Sequence, residues 1–264
     1  MQNRHSNRQQ YFDEQDYTTR KYVIPFIESF RKLTGDLTIL EIGCGEGGNL
    51  KPFLDAGCRV TGIDLSENKI NLARSFIGNH PLKDNLELIC DDIYRMQPPV
   101  RKYDVVFMRD VIEHIHNQER FMTFVKPFMH EESLFFLAFP PWQNPFGGHQ
   151  QICKSRILGI FPYFHLLPAP WYRKVLTLSG ESSATVDNLL EVKETGISIE
   201  RFEKIIQSAS YRMLSKKLFF INPNYEVKFG LKPLAQSRLI ARIPWLRNFL
   251  TTSVFYLLSP DKHP

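Results

Sequence analysis

The run LEIGCGEGGNL at residues 40–50 constrains the fold more than any other stretch of the chain. Gly43, Gly45, Gly47 and Gly48 follow directly on the apolar run LTIL at 37–40. Glycine allows left-handed turns and lets a ligand approach the backbone closely. The apolar run reads as a buried strand, and GNLKPFLDAG, closed by Gly57, reads as a helix. The free N–H groups of that helix would face whatever sits in the loop. Strand, glycine loop and helix in this order open an α/β sheet that holds its ligand at the carboxyl ends of its strands.

The same rhythm continues. CRVTGIDLS is a second strand, and Ser66 then caps a helix that runs to about Phe76 and ends at Gly78. LELIC and YDVVFM are the third and fourth strands, HNQERFMTFVKPFMH is a helix and SLFFLAF a fifth strand. Residues 11–33 read as a leading helix, with Tyr22, Val23, Phe26, Ile27 and Phe30 at helical spacing. Alternating strands and helices predict an α/β, doubly wound, mostly parallel sheet. Polar residues gather at its strand ends: Glu41, Asp64, Asp91, Asp92, Arg109 and Asp110.

After Phe139 the rhythm breaks. Residues 140–196, with FPPWQNPFGGHQQ and LGIFPYFHLLPAPWY, are too long for a plain loop and read as an inserted lid or substrate subdomain. Alternation resumes with ISIERFEKIIQSASYRM, a helix capped by Ser198, then the strands LSKKLFFI and SVFYLLS. The predicted organisation is a helical cover at 1–36, a ligand-binding core at 37–139, the insert at 140–196, and the remaining core at 197–264 with a second insert at about 222–250.

Two ligands fit the glycine spacing. Gly43, Gly45 and Gly48 match Gly-x-Gly-x-x-Gly, the cradle of a dinucleotide pyrophosphate. Gly43, Gly45 and Gly47, with Glu41 two residues ahead, match a loop that holds S-adenosylmethionine. Charge separates them. Glu41 and Glu46 would repel a pyrophosphate, whereas the ammonium and sulfonium of S-adenosylmethionine attract a carboxylate. An NAD(P)-linked oxidoreductase is the alternative, but no Tyr-x-x-x-Lys motif follows the loop. A non-catalytic binding module is a third reading, opposed by the intact Glu41, Asp64 and glycines.

With these motifs in order, the chain resembles a class I S-adenosylmethionine-dependent methyltransferase of the group that includes the ubiquinone-biosynthesis O-methyltransferases. The quoted resemblance rests on EIGCGEGG, GIDLS, CDDI and YDVVFMRDVIEHI, and leaves the inserts uncovered. It implies a Rossmann-like sheet of seven strands with the last antiparallel. It implies that Glu41, Gly43, Cys44, Gly45 and Gly47 hold the methionine end, with Arg109 beside them. Asp64 would accept the ribose hydroxyls. Asp92, favoured over Asp91, would meet the adenine amine, and Ile63, Leu65 and Ile93 would sandwich the ring. Tyr17 and Arg20 precede the sheet, where related enzymes cover the cofactor.

The acceptor is expected to be a small molecule, lipid or glycan, methylated on oxygen. A base near the end of strand four or five must then take a hydroxyl proton. His149, in GGHQQ, is the first candidate, with Asp110 and His114 behind it. Asp110, Glu113 and His114 also resemble a divalent-cation cluster of small-RNA 2′-O-methyltransferases, with His149 or Glu191 as a further ligand. Many relatives carry a similar Glu-His pair without metal, and no metal is expected here. Paired glycines at 147 and 148 would let the His149 loop approach the substrate.

Charge is uneven along the chain. Residues 1–140 hold 17 Lys+Arg against 20 Asp+Glu, and residues 141–264 hold 16 against 8. A basic second half suits an acceptor with an anionic group, and the aromatic first insert leaves room for peripheral membrane contact. The cations are spread out and no nucleic-acid motif accompanies them, so nucleic acid is not favoured. Residues 1–10 are polar with no apolar h-region, and no apolar run is long enough to span a membrane. The four cysteines lack Cys-x-x-Cys spacing. Together these features predict a cytoplasmic enzyme with reduced thiols.

Overall fold

The computed structural model describes residues 7–261. Residues 1–6, which carry most of the polar opening just discussed, lie outside the described residues. The chain opens with α1 (Arg8–Thr18), a π turn at Thr19–Val23 and α2 (Ile24–Glu28). The core then alternates β1 (Thr38–Ile42), α3 (Leu50–Asp55), β2 (Arg59–Asp64), α4 (Glu67–Ile77), β3 (Leu86–Cys90), β4 (Tyr103–Arg109), α5 (Gln118–Val125) and β5 (Met129–Phe139).

Three helices, α6 (Arg156–Ile160), α7 (Ala169–Leu178) and α8 (Ser183–Thr195), fill the first insert. The chain ends with α9 (Ile199–Ser208), β6 (Tyr211–Ile221), α10 (Asn224–Phe229), β7 (Leu234–Ala235), α11 (Arg238–Ala241), α12 (Leu246–Phe249) and β8 (Ser253–Pro260). Among the described residues no helix is long and apolar enough to cross a membrane.

The strands form one sheet in the order β3-β2-β1-β4-β5-β8-β6-β7. Strands β1 to β5 are parallel, and β8 runs antiparallel to both β5 and β6. The expected antiparallel last strand is therefore β8. The expected count of seven is corrected to eight: the second insert turns back along the free edge of β6, where Leu234 and Ala235 pair with Ile221 and Phe219. Such a two-residue edge carries no periodicity to read. Ser66 also differs from expectation, because it makes no side-chain cap and instead its N–H donates to Asp64 Oδ1 at 2.9 Å.

β4 shows why the central strands read as unbroken apolar runs. Val105 and Phe107 pack with Ile39, Phe53 and Phe136 on one face, while Val106 and Met108 pack with Leu40, Phe135 and Phe202 on the other. A strand covered on both faces has no polar side to alternate with. The order reverses between β1 and β4, so the glycine loop after β1 and the Arg109–Asp110 turn after β4 open into one crevice.

The first insert has a core of its own, with Cys153, Phe164, Tyr172, Leu176, Val186 and Leu189 buried together. It is tied back at both ends. Trp142 N–H donates to Ile197 O at 2.8 Å, and Thr195 Oγ1 donates to Glu113 O at 2.5 Å. The glycines at 147 and 148 serve this packing rather than a moving loop. A Cβ on Gly148 would meet His165 Cβ at 2.3 Å, and one on Gly147 would meet Trp142 O at 2.2 Å.

His165 is fully buried edge-on against Trp142, and its Nε2 bonds Trp142 O at 2.8 Å. Its Nδ1 has no partner, and burial pushes its pKa down to about 4. The unfolded imidazole titrates near 6.5. Stability from neutral His165 is therefore full above about pH 6.5 and is lost as pH falls toward about 4. Denaturant titrations across that window should show a shallower acid loss for His165→Gln than for the wild-type chain; equal slopes would remove His165 from the acid response.

Candidate active site at the switch of the sheet

The loop after β1 is shaped by three left-handed glycines, Gly43 (φ 75°), Gly45 (φ 55°) and Gly47 (φ 83°). Its entry is pinned to β2, with the N–H groups of Gly43 and Cys44 both donating to Ile63 O. Gly45 N–H donates to Asp64 Oδ2 at 2.9 Å. Asp64 thus ties the loop to the start of α4, and Lys69 Nζ stands 4.0 Å from the same Oδ2. Cys44 turns its thiol into the core, where a Cβ on Gly62 would meet its Sγ at 2.9 Å, so only its backbone faces the loop's concave side.

Not all the glycines are needed for the same reason. A Cβ on Gly43 would meet Val111 Cγ2 at 2.5 Å, and one on Gly48 would meet Phe12 O at 2.5 Å. Those two are required by packing. A Cβ on Gly45 would meet nothing within 4 Å. Gly45 therefore borders open space at the point where Asp64 and the start of α4 converge.

Beneath the loop lies a buried polar network. Glu41 is 1% exposed, and its Oε1 accepts from Asn49 Nδ2 at 2.8 Å. Asn49 Oδ1 in turn accepts from Thr19 Oγ1 at 2.8 Å and from Arg109 Nη1 at 3.3 Å. Glu41 Oε2 is buried with no partner. Burial pushes the Glu41 carboxyl well above the usual carboxylate range, against the pull of the Asn49 hydrogen bond and the Arg109 charge. A buried acceptor without a donor is costly, and a cationic donor arriving in the loop would relieve it. Asn49 and Thr19 were not singled out from sequence; the signal available was only that Asn49 closes the glycine run at the head of α3.

The rim differs from expectation in several places. Leu65 stands 75% exposed beside Asp64, and Ile93 is buried at the end of β3. Asp92 accepts from Tyr94 N–H at 3.0 Å as the cap of a short turn, while Asp91 pairs with Arg95 at the surface. The acid favoured for the adenine amine therefore also caps the turn after β3.

Tyr17 and Arg20 do not reach the loop. Tyr17 bonds Glu226 and Lys21, and Arg20 pairs with Asp16 and Asp55. Residues on a helix turn about 100° per step, so the face that meets the loop carries Arg8, Phe12, Gln15 and Thr19, with Tyr17 half a turn away. Arg8 Nη1 reaches the buried Glu46 at 3.0 Å, and Gln15 lies against Gly48. Helix phase, rather than position in the chain, decides which residues cover the site.

Across the crevice, Asp110 (φ 55°) turns the chain out of β4 into the Ile112–His114 turn, and its Oδ2 lies 3.6 Å from Arg109 Nε. His149 arrives from the first insert. Its ring is 5.0 Å from that of His114, and ligand atoms of Glu113, His114 and His149 all lie within 4.8 Å of one another. Glu191 is turned away and pairs with His116 at 3.4 Å. Both carboxyl oxygens of Glu113 are buried without a partner. Burial, reinforced by the charge of Asp110, pushes the Glu113 carboxyl well above its ordinary range. Burial likewise lowers His114 and brings His149 down to about 4. The cluster therefore offers two neutral imidazoles and one starved carboxyl, a donor set fit for a proton or a divalent cation.

Residues 39–127 match the family model described as a methyltransferase domain, about a third of the chain. A stretch of 85 residues is 32% identical to the mitochondrial ubiquinone biosynthesis O-methyltransferase of Arabidopsis thaliana, covering 32% of this chain and 26% of that protein. Another of 92 residues is 35% identical to the ubiquinone biosynthesis O-methyltransferase of Hydrogenovibrio crunogenus, covering 35% of this chain and 37% of that one. The chain thus spans well under half the length of these relatives.

Similarity of fold extends further. The magnesium protoporphyrin IX methyltransferase of Synechocystis superposes with a TM-score of 0.56 at 15% identity, over 94% of this chain and 84% of that one. The geranyl diphosphate C-methyltransferase of Streptomyces coelicolor does so with a TM-score of 0.56 at 13% identity, over 91% and 80%.

Because the two glycines differ in what surrounds them, their substitutions should differ. Gly45→Ala should cost roughly 1–2 kcal/mol of stability for its left-handed backbone and weaken binding of S-adenosylmethionine in calorimetry. Gly43→Val should lower the melting temperature much further, because its methyls overlap Val111. Unchanged affinity in a folded Gly45→Ala chain would show that the space beside Gly45 is not used.

Proposed function

We propose that this chain is an S-adenosylmethionine-dependent methyltransferase that methylates a hydroxyl of a small-molecule, lipid or glycan acceptor. The carrying observation is Glu41: a carboxylate buried under a glycine loop, with one oxygen unpartnered, beside open space at Gly45. Such a site suits a cationic ligand and opposes a pyrophosphate. When bound, S-adenosylmethionine supplies a methyl group on a sulfonium, a good leaving group. Glu41 and the loop hold the methionine end, Asp64 the ribose, and Leu65 with Ile93 the adenine, with Asp92 or Asp91 at its amine. Arg109, fixed between Asn49 and Asp110, sets the position of the acids around it.

The chemistry on the protein side is alignment and one proton. Alignment of nucleophile and methyl can supply a large share of the acceleration. His149, neutral at physiological pH, accepts the hydroxyl proton, with His114 beside it and Asp110 stabilising the resulting charge. The O-methyltransferases among the relatives support an oxygen acceptor. A cytoplasmic site of action belongs to the same proposal, supported by four free thiols.

A second reading is favoured by Glu113. A base as weak as His149 is a poor proton acceptor, yet its free lone pair is well suited to a cation. Glu113, His114 and His149 would hold a divalent ion, whose charge would lower the acceptor hydroxyl's pKa. It would also give the buried oxygens of Glu113 their missing partner.

His149→Asn keeps a residue that tolerates the left-handed backbone. It should cut kcat by roughly 10²–10⁴ and leave S-adenosylmethionine affinity within about threefold, or roughly 0.7 kcal/mol. Full activity in this variant would remove His149 from the chemistry. Glu113 reports on the cation. Its raised pKa in the folded chain means that stability is lost as pH rises, so Glu113→Gln should melt higher than wild type at neutral pH without metal. If the cation reading holds, Mn²⁺ or Zn²⁺ should raise the wild-type melting temperature and leave the variant's unmoved. A wild-type chain indifferent to both ions, and to Mg²⁺, would exclude it.

A further inference from the structure

The second insert is built in a way that the methyl-transfer site does not use. From residue 227 to 260 the chain carries Lys228, Lys232, Arg238, Arg242 and Arg247 and no Asp or Glu. Arg247 is buried between Glu200 and Glu203. Lys232, Arg238 and Arg242 are exposed and enter no ion pair among the described residues. Between and beside them Leu239 is 76% exposed, Ile243 47%, Trp245 61% and Leu246 44%. Single exposed apolar residues are ordinary, but a contiguous set on one short segment is not.

The backbone beneath this set is firmly held. Glu200 accepts from Trp245 N–H at 3.1 Å, from Arg247 Nε at 2.8 Å and from Asn248 Nδ2 at 2.6 Å. Trp245 takes a left-handed φ of 65°, which is unfavourable for a bulky side chain. One half-buried carboxylate, Glu200, therefore fixes the turn while Trp245 and Leu246 face solvent. The surface continues into the first insert, since Tyr163 Oη donates to Phe249 O at 3.1 Å and its ring meets Phe249 at 6.2 Å. There Ile157, Ile160 and Phe161 are 72%, 73% and 56% exposed, close in sequence to Lys154 and Arg156. Because the two inserts touch at Tyr163 and Phe249, their exposed apolar residues and the cations beside them are taken together as one face.

We propose that this face docks on the surface of an anionic lipid bilayer and that the methyl acceptor is a molecule drawn from that bilayer. The second clause rests on the methyltransferase reading; the first does not. Apolar tips with an interfacial tryptophan enter the headgroup boundary, and long cationic side chains reach phosphates above it. A second copy of the chain is a poor occupant, because a two-fold contact would set unpaired cations of like charge against each other. A nucleic acid is a poor one too, because Leu239, Ile243 and Leu246 would lie against its phosphates.

Flotation of the full chain with vesicles of phosphatidylcholine containing about a third phosphatidylglycerol tests this. The chain should float with these vesicles, release at high salt, and stay behind with pure phosphatidylcholine. Arg238→Gln with Arg242→Gln should weaken partition about 30-fold, from the loss of two surface cations. Leu239→Ser with Trp245→Ser should weaken it further. Both pairs should keep the wild-type affinity for S-adenosylmethionine, measured by calorimetry without vesicles. No flotation at low salt, or flotation unaffected by either pair, would overturn the proposal. So would a concentration-dependent dimer in light scattering that Leu239→Ser dissociates. Flotation without S-adenosylmethionine binding would sink the methyltransferase reading alone and leave the docking face standing.

Discussion

Glu41 is the constraint around which the rest of the site is arranged. A carboxylate at the end of a central strand, 1% exposed, is expensive to keep. The structure offsets this with one amide, Asn49, and one nearby guanidinium, Arg109. Neither satisfies Oε2. The turn of the glycine loop, the start of α3, the end of β4 and Thr19 at the start of the π turn all meet at Asn49 or Arg109. The crevice at the reversal of strand order is therefore an electrostatic feature as much as a topological one. It is preorganised for a positive ligand, and that preorganisation is stored as incomplete hydrogen bonding.

What the sequence made legible follows from how local each signal is. The β1–loop–α3 unit, the acid at the end of β2 and the strands β2 to β5 depend on neighbours within a few residues, and they stand where periodicity and glycine spacing put them. Tyr17 and Arg20 failed because position before the sheet says nothing about helix phase; the covering face is set by contacts of Phe12 and Gln15 with Gly48. Asn49 was invisible because its role comes from Glu41, Thr19 and Arg109 meeting in space. β7 was missed because two residues pairing at an edge have no pattern. The glycines at 147 and 148 looked like flexibility and are close packing against Trp142 and His165.

The meeting of His149 with Glu113 and His114 spans the boundary between core and insert, and it has an energetic consequence. Each of the three is pushed toward its neutral form, mainly by burial. Grouping them without a proton, substrate or ion among them leaves both buried Glu113 oxygens unpaired beside the two imidazoles, of which His114 is open to solvent. That is a stability cost, and Thr195 and Gln118 resist it by fastening α8 to the Ile112–Glu113 backbone. The insert is thus held against the one segment of the core whose side chains most need a partner. Functional sites are where such local conflicts are expected to persist.

The uneven charge of the chain takes on a spatial meaning from these two regions. Four acids of the first 140 residues, Glu41, Glu46, Asp64 and Asp110, stand around the loop and its rim. Ten of the sixteen Lys and Arg residues of the second part lie on the two inserts. Under the proposed methyl transfer, a cationic donor and an anionic acceptor would both gain from separated fields, because a single mixed surface would attract each partner to the other's place. Transfer also removes one positive charge from the acid-lined side when the sulfonium becomes a thioether. The attraction of Glu41 and Asp64 for the spent cofactor would then fall. On this reading the same acids that favour loading of the sulfonium also favour release of the spent thioether.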